Sequence, residues 1–124
     1  MRAELKSLFS ADADPLDAFA PTGSFGISVM AMIGPAGQQG NESFEFMLCT
    51  PEWFAANMRE NIRMGRHYLF VRDFSFKQLD QFVREYCESC GEAPTWNTLA
   101  EKLARLGKWE FEDYVPYRAP PAAW

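Results

Sequence analysis

Apolar and polar residues alternate with a period of two over three stretches of the chain, and each stretch predicts a β-strand. Ala3 and Leu5 stand between Arg2, Glu4 and Lys6, so the chain is expected to open with a strand that has one solvated face. Its charges suit a sheet edge. Phe25, Ile27, Val29, Ala31 and Ile33 occupy successive odd positions and predict a second, longer strand. Phe44, Phe46 and Leu48 alternate with Glu45 and Met47 and predict a third. Between the last two, residues 34–41 hold three glycines and a proline, the composition of a hairpin connection. No Lys-Ser/Thr pair and no helix start follow these glycines, so the turn is preferred to a phosphate-binding loop.

Helical signals begin at Thr50. Its hydroxyl can cap a helix, Pro51 fits the first helical position, and Glu52 lies near the positive end of the helix. Trp53, Phe54, Met58 and Ile62 recur at helical spacing, and Gly65 stands where a left-handed cap would close the helix. The apolar run Tyr68-Leu69-Phe70-Val71 then predicts a strand covered on both faces and internal to the sheet. A crossover of this length fits a parallel, right-handed unit, so residues 44–71 are expected to organise the fold. Farther on, Ser75 and Gln78 form a capping box ahead of the stripe Phe76, Leu79, Phe82, Val83, Tyr86, Cys87 and Cys90, with Gly91 ending the helix. Thr95 caps a shorter helix carrying Trp96, Leu99, Ala100, Leu103 and Leu106 on one side, closed by Gly107. Trp109 and Phe111 alternate with Glu110 and Glu112 and predict a last strand over 108–114 with its acids turned to water. Residues 12–23 are rich in Asp and Pro and are expected to form an exposed loop.

These elements amount to an α+β fold, with a mixed β-sheet of about five strands and about three helices packed mainly on one face. The chain has 124 residues, which fits one domain over 1–115 followed by a loose Pro/Ala-rich tail at 116–124. Eleven Phe, four Trp and four Tyr mean that aromatic packing should dominate the interior. The beginning of the chain lacks the apolar core of a signal peptide, and no apolar run is long enough to span a bilayer, so a cytoplasmic location without a membrane role is expected. Seventeen acidic against twelve basic residues give a net charge of −5, which argues against nonspecific nucleic-acid binding and favours a basic protein partner.

Three groups of residues could carry chemistry. Cys87 and Cys90 have the spacing of a metal or redox pair, and Cys49 with His67 would complete four zinc ligands. Both nearby thiols lie on an apolar helical stripe, where cysteine behaves as a small hydrophobe, so reduced core residues without metal are expected. His67 is the only histidine and the one candidate base for a small enzyme; a structural hydrogen bond at the start of a strand is the preferred reading. Glu110, Glu112 and Asp113, with Glu85, Glu88 and Glu92, could form an acidic recognition surface or a solvated face, and the solvated face is the preferred reading; alternation turns Glu110 and Glu112 away from Trp109 and Phe111.

Several motifs occur together in an order that matches a known family. These are Arg2-Ala3-Glu4-Leu5-Lys6-Ser7-Leu8, Ala31-Met32-Ile33-Gly34-Pro35, and Glu42-Ser43-Phe44-Glu45-Phe46 leading into Cys49-Thr50-Pro51-Glu52-Trp53. Gly65-Arg66-His67-Tyr68-Leu69 and Gly107-Lys108-Trp109-Glu110-Phe111-Glu112-Asp113-Tyr114 follow. On these residues the chain resembles the immunity protein 8 family, found beside polymorphic toxins in bacteria. The resemblance implies a small cytosolic antitoxin that binds and neutralises a cognate toxin domain, without catalytic activity and without a cofactor. Glu110, Glu112 and Asp113 would then be the contact residues. The other readings are an adaptor or structural subunit that assembles with copies of itself, and a small enzyme using His67.

Overall fold

The computed structural model describes residues 1–113. The hairpins come first: β1 (Ala3–Phe9) pairs antiparallel with β2 (Gly26–Pro35), and β2 pairs antiparallel with β3 (Glu42–Cys49). After α1 (Pro51–Asn57) the chain returns as β4 (Tyr68–Phe70), which runs parallel to β3. Then come α2 (Phe76–Ser89), α3 (Trp96–Leu103) and the two-residue β5 (Lys108–Trp109), which pairs antiparallel with the other half of β3. The fold is α+β with a mixed five-stranded sheet, as the alternation predicts.

The strand patterns decide which face is buried. Ile27, Val29, Ala31 and Ile33 of β2 and Phe44, Phe46 and Leu48 of β3 share one face and are all buried. Leu79, Val83 and Cys87 of α2 and Leu99, Ala100 and Leu103 of α3 close over that face, completing one core. Burying a side chain of this size contributes roughly 1.5–3 kcal/mol, so these two helices are placed by packing. Their caps follow the sequence: Ser75 accepts from the Gln78 N–H, Thr95 from the Thr98 N–H, and Gly91 closes α2 at φ 69°. The β2–β3 turn also needs a glycine, since a Cβ on Gly34 would lie 2.0 Å from the Gly40 carbonyl oxygen.

Helix α1 lies on the opposite face. Gly26 points away from Ile27, and the Trp53 ring occupies the space where its Cβ would be, 2.3 Å from the nearest ring carbon. Phe54 packs edge-on against Tyr68 and Phe70, with ring centroids 4.8 and 5.4 Å away.

Four expectations need correction. The strand at Tyr68–Phe70 is a short edge strand, with Phe70 46% exposed. Its run of apolar residues has another cause: Leu69 sits beside Leu48 on the core face, while Tyr68 and Phe70 stack under α1 on the other. Cover on two faces does not require a neighbour on each edge. Second, α1 stops at Asn57 and does not run to Gly65. The Asn57 side-chain amide donates to the Trp53 carbonyl at 2.9 Å, competing with the helical ladder, and Met58 turns extended. Third, the last strand is only Lys108–Trp109; the Glu110 N–H still donates to the Ser43 carbonyl at 3.1 Å, and then the chain turns at 110–113. Trp109 packs on the core, but Phe111 is 38% exposed. Fourth, residues 12–23 are not merely exposed. Ala13 and Leu16 are buried, and Phe19 joins Phe25 and Phe74 in an edge-to-face ring cluster. The end of the 108–114 expectation and the Pro/Ala-rich segment 116–124 lie outside the described residues.

Candidate partner-binding surface

Because α2 and α3 take one face and α1 covers only a corner of the other, a large part of the second face has no helix over it. It is built from the even positions of β2 and the odd positions of β3: Ser28, Met30 and Met32 beside Ser43, Glu45 and Met47. Glu45 is exposed and the others are half-buried. Phe9, opposite Met30 on β1, is exposed at the margin. Three methionines give this face a pliable apolar centre. Glu45 accepts from the Ser28 hydroxyl at 2.8 Å and stands across from Lys108 of β5.

One side of this face is bordered by the chain between α1 and β4. Residues 55–66 are all exposed, with Ile62 at 84% and Met64 at 78%. Arg63 donates to Glu60 at 3.2 Å, donates to the Tyr68 hydroxyl, and lies over the Tyr68 ring at 5.4 Å from its centroid. Arg66 forms an ion pair with Glu112. The loop closes at His67, whose φ of 64° is left-handed, and the Met47 N–H donates to its carbonyl at 2.9 Å. Arg63, Arg66, His67 and Tyr68 line a groove of about 560 Å³ with Glu45 and Lys108. These arginines were not singled out from the sequence, although an arginine-rich stretch around Ile62 and Met64 was there to be noticed.

Of the residues singled out, Glu110 and Glu112 are engaged within the fold. Glu110 accepts from the Ser43 N–H at 2.7 Å and fastens the C-terminal turn to β3. Glu112, 17% exposed, holds Arg66. Asp113 is exposed beside them with a left-handed φ of 61°. Strict alternation would leave the two glutamates in water; the turn at 110–113 points both carboxylates back onto the protein.

His67 sits half-buried with its Nε2 2.8 Å from the Ala104 carbonyl. The contact ties the loop base to the end of α3. Cys87 and Cys90 face the core, and the Cys90 thiol lies 3.4 Å from the Tyr86 carbonyl. Burial pushes both thiols above their ordinary values, Cys87 to about 12, which keeps them protonated and poorly nucleophilic. Among the described residues, no group of three His, Cys, Asp or Glu is arranged to hold a metal ion. A second cavity, about 190 Å³, lies between β4 and the start of α2 and is lined mainly by Leu48, Leu69, Phe74, Leu79 and Phe82. Asp73, Ser75 and Gln78 also line it.

A model of the family described as Immunity protein 8 matches residues 3–114 of this chain. The chain belongs to the immunity protein 8 family. The match takes in every element of the sheet and all three helices. No curated protein and no solved structure matches the chain. Membership makes it an immunity protein of a polymorphic toxin system, as the motif order implied. Among the described residues of this immunity protein 8 member, no helix is long and apolar enough to cross a membrane.

Proposed function

We propose that this immunity protein neutralises a cognate toxin domain by binding it in the cytoplasm, with the helix-free side of its sheet toward the partner. The family match over residues 3–114 carries the reading. The geometry is suited to it, because the face holding Met30, Met32 and Met47 mixes apolar surface with charged margins, the composition of a non-obligate protein interface. Glu110, Glu112 and Asp113 lie at one margin and take part in two ways. Asp113 meets the partner directly, while Glu110 and Glu112 fix the turn and the neighbouring loop against which it docks. The protein acts by occupancy, without turnover and without a cofactor.

Co-expression tests this reading. Cells making the toxin encoded next to this protein should survive when it is co-expressed, and the toxin's C-terminal domain should copurify with it. Loss of viability despite full expression, with no copurification, would overturn the proposal.

A further inference from the structure

We propose that residues 58–66 are the anchor of the interface, and that they insert into an apolar pocket bordered by carboxylates on the toxin domain. The inference rests on the immunity reading and adds to it the chemistry of the partner's site. Ile62 at 84% and Met64 at 78% exposure cover no core of their own. Large apolar side chains held this far into solvent, two positions apart, are open to a pocket on a partner. The same segment carries Arg59, Arg63 and Arg66 against the single acid Glu60, in a chain whose net charge is −5. This local reversal of sign selects an acidic rim around whatever receives Ile62 and Met64. The net charge of −5 on each molecule opposes self-association at long range, and sedimentation of the protein alone tests whether a second copy takes the loop instead.

The anchor is built in advance of binding. Phe54, Tyr68 and Phe70 stack at its base, and His67 is fastened to Ala104 at 2.8 Å. Arg63 is held by Glu60 and the Tyr68 ring, and Arg66 by Glu112. A guanidinium has five N–H donors, more than these partners use, so each arginine is oriented and still able to bind a carboxylate. Holding side chains in place beforehand lowers the entropy lost on association. Glu112 is therefore a positioning residue for Arg66.

The test measures binding of wild-type protein, Ile62→Ser/Met64→Ser and Arg59→Glu to the purified C-terminal domain of the toxin encoded by the adjacent gene, alongside thermal unfolding and sedimentation of each variant alone. The expected result is about a hundredfold loss of affinity for the double variant, mostly through faster dissociation, and about tenfold for Arg59→Glu, with unfolding midpoints unchanged. If the wild-type protein binds and both variants bind equally well, the anchor assignment is overturned while the immunity reading stands. If the wild-type protein alone forms a dimer that the double variant dissolves, the loop serves a second copy and the inference is wrong. If the wild-type protein neither binds nor protects, the immunity reading fails and the inference falls with it.

Discussion

Burial at Cys87 gives the core a pH signature. The thiol is pushed up to about 12 from an ordinary 9.0, chiefly because its charged form would lose hydration, with Cys90 beside it acting in the same direction. The folded state therefore holds the proton more tightly than the unfolded chain. That contribution to stability is fully present below pH 9.0 and is lost as pH rises toward 12. The thermal midpoint of the wild-type protein should fall more steeply between about pH 8.5 and 10.5 than that of Cys87→Ala. Parallel pH profiles for the two proteins would contradict this. The sequence already indicated the thiol's place, because Cys87 stands in register with Leu79 and Val83 on the α2 stripe. The site residues were less legible. Glu110 and Glu112 alternate correctly with Trp109, but the turn at 110–113 sends their carboxylates to Ser43 and Arg66, partners remote in sequence.

The elements differ in how far local signals fix them. β2 and β3 were legible over their central alternation, because one fully buried face imposes a strict period of two on Ile27 to Ile33 and on Phe44 to Leu48, while the pairing runs on to Pro35 and starts at Glu42, beyond that pattern. The cap residues Thr50, Ser75 and Thr95 were legible for the same local reason. The end of α1 was not, since Met58 and Ile62 keep the helical spacing although no surface waits for them. Nor was the edge position of β4, whose apolar run depends on α1 packing from the far side. Thr50 joins these pieces. Its buried hydroxyl accepts from the Trp53 N–H at 3.2 Å and from the Phe25 N–H at 3.4 Å, linking the start of α1 to the approach to β2. Thr50→Ala should cost about 1–2 kcal/mol in urea unfolding, and Thr50→Ser should retain most of that stability. An alanine variant as stable as wild type would show that the cap does not hold this corner.

At the scale of the whole molecule, two helices on one face of a five-stranded sheet leave much of the other face without a helix, and that is the face we propose for the partner. On the proposed reading, the net charge of −5 would act at long range and assist encounter with a basic toxin, whereas the apolar loop and the methionine face would act at contact and slow release. For a protein that neutralises by occupancy, as proposed, slow release matters most. The most direct measurement is a calorimetric titration of the purified protein with the purified C-terminal domain of the adjacent toxin. One-to-one saturation with a Kd of about 10 nM or tighter is predicted; absence of a complex at concentrations of about 10 μM would contradict the account.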